Sequence, residues 1–346
     1  MPSFVTLPKL VRGDQVAVVS PSAGLPELFP WVQELGLQRL REVFGLHPLE
    51  YPTTRRMRAP LEARAQDLMQ AFANPANKAV FTSIGGDDQL QLLKYLDPTV
   101  IRANPKPFFG YSDNTHLHTF LWNLGIPSYY GSAVMTQLAM QQQMHDYTVQ
   151  SLTHALFTTG EVEVSAAASY TDEGLPWDEP ANLQQTRRLD MNEGWHWDGT
   201  ADATGRLWGG CVESLVAQVA AEKYLPSPAA LQGSVLYLET SESMPPPWVL
   251  NYLLTGFGER GWLQQFQAIL VGRPKAWDFD RPLTREQKAA YCQQQRAAVV
   301  QAVRLYNPLV PIIQNVDFGH TDPQLVLPSG QMARILGKEQ RLFLTY

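Results

Sequence analysis

The chain has 346 residues, of which 45% are hydrophobic and 17% charged, and a net charge of −6. That length suits two domains, and the apolar content supplies a substantial core. Mild acidity with no Lys/Arg-rich run argues against nucleic acid as a partner, and no apolar run reaches the length of a membrane span.

The first residues, Met1-Pro2-Ser3-Phe4-Val5-Thr6-Leu7, have no basic region followed by an apolar core, so no signal peptide is expected and a cytoplasmic location is the default. The two cysteines, Cys211 and Cys292, form neither a metal pattern nor a disulfide framework.

Taken in order, residues 16–19 read as a buried strand of the parallel-sheet kind, followed by the turn Ser20-Pro21-Ser22-Ala23-Gly24. That turn fits neither G-x-G-x-x-G nor a P-loop, so it reads as structural. Residues 31–44 pattern as a helix, 47–51 as a second strand, and 61–73 as a helix introduced by Pro60. Residues 78–84 form the next strand, which ends in Gly85-Gly86-Asp87-Asp88 before a helix over 89–96. Two glycines at the carboxyl end of a strand let the backbone approach a ligand and offer free N–H groups. Asp87 and Asp88 either cap the helix or join a site.

The most informative stretch is Phe108-Phe109-Gly110-Tyr111-Ser112-Asp113-Asn114-Thr115. Phe108 and Phe109 predict a short buried strand. Leu117, Phe120, Leu121 and Leu124 then follow with the spacing of a helix face. Ser112 therefore sits where a strand turns into a helix, with its hydroxyl facing a helix N-terminus. This is the mechanical idea of a nucleophile elbow, although Asn114 stands where G-x-S-x-G has its second glycine. From these residues alone Ser112 is either a nucleophile or an N-cap.

Residues 126–131 read as another strand and turn, and 137–157 contain a Gln/Met-rich helical stretch. The strand–helix alternation up to residue 160 predicts an α/β fold, with a Rossmann-like parallel sheet and ligands at the strands' carboxyl ends. Residues 161–204 change character. Trp177, Trp195 and Trp197 lie among Asp and Gly, and either pack a β-rich insertion or line a binding surface. From residue 205 the pattern is mixed α/β and β-rich. A strand and glycine turn ending in Gly209-Gly210-Cys211 lead into a helix. Strands follow at 234–238, 268–272 and 309–313, and helices at 248–255 and 285–303. The segments 324–328 and 340–344 read as a final pair of strands. The predicted organisation is a first domain over 1–160, a Trp-rich linker or substrate loop over 161–204, and a second domain over 205–346.

A nucleophilic serine needs a base and a group to orient it. Among seven histidines, His116 and His118 lie on Ser112's own helix, where His116 caps it or lies on the surface. His320 follows Asp317-Phe318-Gly319 at the end of a strand. Glu239 also closes a strand, and Glu242 competes with it to cap the next helix or orient a base.

Gly-Gly-Asp-Asp after a strand, Gly-Tyr-Ser-Asp-Asn-Thr, Trp-Gly-Gly before a helix, Leu-Tyr-Leu-Glu-Thr-Ser-Glu and Asp-Phe-Gly-His occur here in the order and rough spacing of the LD-carboxypeptidase family of serine peptidases. The chain resembles that family over nearly its whole length. The resemblance implies a triad of Ser112 as nucleophile, His320 as base and Glu239 as its orienter. It further implies an oxyanion hole from the backbone N–H groups of Gly86 and Asp113, with Gly85 and Asp87 beside the substrate. It implies a cleft between the two domains, a homodimer, and no metal or cofactor. Cys211 departs from the Asn that members often carry there, and reads as a small buried residue. The long Trp-rich loop is similar to that of the microcin C self-immunity (MccF-type) branch, in which an aromatic residue stacks on an adenine; Trp177 is the first candidate and Trp195 the second.

The expected activity is hydrolysis of the amide bond of peptidyl- or aminoacyl-nucleotide conjugates. The alternative is release of D-Ala from a murein tetrapeptide. A non-catalytic binding module on the same fold would not react with a fluorophosphonate, and a nucleotide-dependent oxidoreductase rests on the βα alternation alone.

Overall fold

Short runs bounded by turns form two large sheets and one two-stranded ribbon (Ser169–Tyr170 with Asp190–Met191) in the computed structural model, which describes residues 3–346. The strands are β1 Gln15–Val19, β2 His47–Glu50, β3 Asn77–Thr82, β4 Phe108–Gly110, β5 Ser128–Tyr130, β6 Glu161–Val164, β7 Ser169–Tyr170 and β8 Asp190–Met191. They continue with β9 His196–Asp198, β10 Ala203–Cys211, β11 Val235–Glu239, β12 Ala268–Gly272, β13 Ile312–Val316, β14 Leu327–Ser329, β15 Met332–Leu336 and β16 Arg341–Thr345.

The first sheet has the order β14-β5-β4-β3-β1-β2, parallel from β2 to β5. The second has the order β6-β16-β15-β10-β11-β12-β13-β9, with a parallel centre from β10 to β13 and antiparallel flanks. The fold is α/β, with a Rossmann-like parallel sheet and a separate β-rich mixed sheet. The central strands are continuous apolar runs because both of their faces are covered. One core cluster joins the sheets, with Tyr130 and Leu327 meeting Tyr237 and Phe318. Two others lie beneath the helices on the outer faces.

Four differences from the sequence reading bear on how the site is built. The Gln/Met-rich stretch is helical only over Asp146–Phe157. Before it, buried Ala133, Val134 and Met135 pack as loop, with Val134 and Met135 donating to the carbonyls of Thr82 and Ser83. Gly209 and Gly210 make no turn but lie within β10. A Cβ on Gly210 would stand 2.3 Å from Thr115 Cγ2, so glycine there admits the helix that follows Ser112. The last two strands are β15 and β16, while β14 leaves to pair antiparallel with β5 in the other sheet. His116 is neither cap nor surface. It is buried because its helix is covered on every side.

The strand order of the first sheet reverses between β1 and β3, and ligands bind at the carboxyl ends beside such a switch point. The turns after β1, β3 and β4 gather there. The strand ends Glu239 and Gly272, and the loop after β13, face them from the second sheet.

Among the described residues no helix is long and apolar enough to cross a membrane, and no group of His, Cys, Asp or Glu is arranged to hold a metal ion.

Candidate active site

After β4 the backbone turns so sharply that Ser112 sits at φ +63°. A left-handed serine is strained and must be held by its surroundings. The Ser112 N–H donates to Tyr130 Oη at 3.2 Å. Asp113 accepts from Ser22 Oγ at 2.5 Å and from the Gln89 N–H at 2.9 Å. Asn114 donates to the Tyr111 carbonyl at 2.9 Å and accepts from Gln89 Nε2 at 2.7 Å. The turn after β1 thus buttresses the elbow through Ser22. Burial pushes the Asp113 carboxyl above its usual range, against the opposing charge of His116 at 3.4 Å.

Gly85 lies against the serine. A Cβ there would stand 3.0 Å from Ser112 Cβ and 3.2 Å from its Oγ. Neither the Gly86 N–H nor the Asp113 N–H has a hydrogen-bond partner among the described residues. Asp88 does not cap its helix but pairs with Arg64 at 2.7 Å. Arg64 also donates to the Ser22 carbonyl at 2.6 Å, fixing one glycine turn to the other loop.

From the second sheet, buried Glu239 accepts from His320 Nδ1 at 2.6 Å with one oxygen and from Tyr130 Oη at 2.6 Å with the other. The tautomer of His320 follows, since a carboxylate only accepts. Its Nε2 stands 3.2 Å from Glu242 Oε2. Burial alone would lower the imidazole pKa, but Glu239 and Glu242 outweigh it and raise it to about 9.

Ser112 and His320 line one cavity of about 460 Å³, together with Gly85, Gly86, Trp177, Glu242 and Lys275. The structure thus brings six predicted site residues together: Ser112, His320, Gly85, Gly86 and Trp177 line the cavity, and Glu239 stands behind His320. Asp113 turns its carboxylate away from the cavity, toward Ser22 and Gln89. Asp87 is exposed and does not line the cavity. Trp195 is placed elsewhere, donating to Asp317 at 2.8 Å and packing on the central core. Trp177 is held by Trp31, which donates to its carbonyl at 2.8 Å, and by an edge contact with Phe29. Cys211 is buried, and burial with the nearby Glu239 and Glu213 pushes its thiol well above the ordinary value, so it is no thiolate.

Two contributors escaped the sequence reading. Tyr130 joins Ser112 to Glu239 across the two sheets, and nothing local marks it. Lys275 follows β12 into the cavity, where burial lowers its pKa against the pull of Glu242 and Asp322. Its position after the strand end Val271-Gly272 was the available signal.

A strained serine sharing a cleft with a carboxylate-bound histidine is the arrangement of a serine hydrolase. The family model for the LD-carboxypeptidase N-terminal domain matches residues 16–131, and that for the C-terminal domain matches residues 204–335. The chain belongs to the LD-carboxypeptidase family and is a serine peptidase by class. It is 27% identical to a putative carboxypeptidase of Treponema pallidum, over 94% of this chain and 90% of the relative. It is 26% identical to the microcin C7 self-immunity protein MccF of Escherichia coli, over 78% of this chain and 74% of that protein. A solved MccF-like protein from Streptococcus pneumoniae, in complex with AMP, superposes with a TM-score of 0.84 at 26% identity, covering 96% of this chain and 99% of that one.

Proposed function

We propose that the chain is an MccF-like amidase that hydrolyses the amide bond of aminoacyl- or peptidyl-nucleotide conjugates through Ser112, His320 and Glu239. Ser112 Oγ attacks the carbonyl carbon, and its proton passes to His320 Nε2. The N–H groups of Gly86 and Asp113 receive the negative charge that develops on the carbonyl oxygen, and each such donor is typically worth roughly 3 to 4 kcal/mol. The C–N bond then breaks, with the Nε2 proton going to the leaving nitrogen. Water cleaves the acyl-serine by the same path in reverse. Glu239 holds the ring through Nδ1 and stabilises its cation.

The observation that carries the nucleotide reading is Trp177, whose flat ring shares the cavity with Ser112 and His320. The related Streptococcus pneumoniae protein was solved with AMP, which supports the same reading. Lys275 favours a second reading, because an ammonium in this cavity suits the terminal carboxylate of D-Ala in a murein tetrapeptide. Paired hydrolysis assays decide between them: an aminoacyl sulfamoyl adenylate and a murein tetrapeptide, each with wild type and Ser112→Ala. Cleavage of the adenylate that is lost in the variant supports the proposal. Release of D-Ala instead makes the chain a muropeptide carboxypeptidase, and unchanged activity in the variant removes Ser112. Homodimerisation and a cytoplasmic site of action belong to the same proposal. A monomer mass by light scattering counts against the dimer.

A further inference from the structure

A glycine loop is the freest kind of backbone, yet an oxyanion donor must be fixed before the charge arrives. The loop Gly85-Gly86-Asp87-Asp88 meets both conditions at once, so something outside it must hold it. The residue that follows it is Gln89, which opens the short helix Gln89–Leu92 and is fully buried. Gln89 makes three hydrogen bonds, all to the chain just after Ser112. Its N–H donates to the Asp113 carboxylate at 2.9 Å, its Nε2 donates to Asn114 Oδ1 at 2.7 Å, and its Oε1 accepts from the Leu117 N–H at 3.0 Å. The Leu117 N–H only donates, which fixes the way the Gln89 amide faces.

The residue that precedes the loop is tied to the same place. Asn114 Nδ2 donates to the Ile84 carbonyl at 3.3 Å and to the Tyr111 carbonyl at 2.9 Å. One side chain, Asn114, therefore holds Ile84 on one side of the loop and Gln89 on the other. Between these ends the Ala23 N–H donates to the Gly85 carbonyl at 3.1 Å, and Arg64 holds Asp88 at 2.7 Å. A Cβ on Gly86 would run into Ser22 Oγ, so the loop lies flat on the turn after β1. The Gly86 N–H is the group these bonds leave open.

Building on the Ser112 reading above, we propose that Gln89 is the positioning residue of the oxyanion hole: it holds the Gly86 N–H in register with the Asp113 N–H. Gln89 touches neither substrate nor Ser112. It acts through the two loops it joins, and through Asn114, which closes the neck of the glycine loop. A donor displaced by about 1 Å no longer meets the oxygen on which charge develops, so loss of the Gln89 amide slows attack without altering the nucleophile or its base.

The test is the rate at which a fluorophosphonate labels Ser112 in the full chain, over a range of pH and below the melting transition of each variant. In that reaction the Oγ–P bond forms, the P–F bond breaks, and the serine proton passes to His320. Negative charge gathers on the phosphoryl oxygen, so the rate reads the hole whatever the natural substrate is. Wild type, Gln89→Met, Gln89→Glu and Ser112→Ala are compared. Gln89→Met keeps the length of the side chain and loses both amide bonds, and labelling should slow about 10- to 100-fold. Gln89→Glu keeps an acceptor for the Leu117 N–H and loses the donor to Asn114, so its rate should lie between those of Gln89→Met and wild type. In both, the midpoint of the pH profile should match wild type. That midpoint belongs to His320 and the charges around it, Glu239, Glu242 and Lys275, none of which Gln89 bonds. A residue that only supports the fold would lower Tm and leave labelling of the folded chain unchanged. Rates within about twofold of wild type in both variants overturn the proposal, since a displaced donor cannot leave them so. A shifted midpoint, or failure of both variants to fold, also overturns it; if Gln89→Met alone fails to fold, Gln89→Glu decides. An unlabelled wild type, or a Ser112→Ala chain labelled equally, overturns the nucleophile assignment instead.

Discussion

Replacing Tyr130 with Phe removes one hydroxyl and leaves the ring in place. That hydroxyl donates to Glu239 Oε1 at 2.6 Å and accepts from the Ser112 N–H at 3.2 Å. Glu239 is 1% exposed, so water does not replace the lost donor. A hydrogen bond to a buried charge is worth about 1.5 to 3 kcal/mol. Unfolding entropy near 2.1 cal/mol/K per residue gives about 0.7 kcal/mol/K for 346 residues, so Tm should fall by about 2 to 4 °C. If the same bond holds Glu239 against His320 in the transition state, kcat/KM should fall about 10- to 150-fold. The loss should be in kcat, because Tyr130 does not line the cavity and so does not touch substrate. Melting curves and steady-state rates on whichever conjugate is cleaved check both numbers. Wild-type kcat with an unchanged Tm would refute the idea that Tyr130 ties nucleophile to orienter.

Three further outcomes are expected. Gly85→Ala should slow fluorophosphonate labelling of Ser112 at least roughly tenfold with little change in Tm, because the new methyl meets Oγ at 3.2 Å; labelling at the wild-type rate would show that the loop yields. His320, with its pKa raised to about 9, is stabilising while protonated, so its contribution is full below about pH 6.5 and lost as pH rises through 9. Wild-type Tm should therefore fall over that window relative to His320→Gln, and parallel curves would contradict the double carboxylate contact. Trp177→Ala should raise KM for a nucleotide conjugate about 5- to 150-fold with kcat unchanged, from a stacking energy of about 1 to 3 kcal/mol. An unaltered KM would return Trp177 to packing against Phe29.

What the sequence makes legible follows from locality. The runs Val16-Ala17-Val18-Val19 and Ile269-Leu270-Val271 announce buried parallel strands, because covering both faces leaves no polar alternation to obscure them. The elbow is legible because Gly110 and the polar cluster after it are sequence neighbours. Tyr130 is not, since its partners come from another loop and the other sheet. Nor is the pairing of β14 with β5, which rests on three residues contributed from far along the chain. His116 looks like a surface helix residue by spacing, and only packing on both sides buries it. Asp87 and Asp88 are alike in sequence, and it takes the position of Arg64 to separate an exposed carboxylate from a paired one.

Ser112 and His320, the proposed nucleophile and base, stand on different sheets, so their separation depends on how the sheets meet. A misplacement of about 1 Å can cost a hundredfold in rate. Four contacts fix this seam. Tyr130 reaches Glu239, and β14 crosses over to pair Leu327 with Tyr130. Gln324 donates to the Gly319 carbonyl at 2.6 Å and accepts from the Ser132 N–H at 2.6 Å, tying the His320 loop to the end of β5. Thr115 Oγ1 accepts from the Cys211 N–H at 2.9 Å. These bonds share a core cluster with residues of both sheets, so separating the sheets would strip satisfied polar groups as well as apolar area. Substrate access therefore falls to side chains that rim the cavity outside this seam, such as Glu242, 56% exposed on its turn.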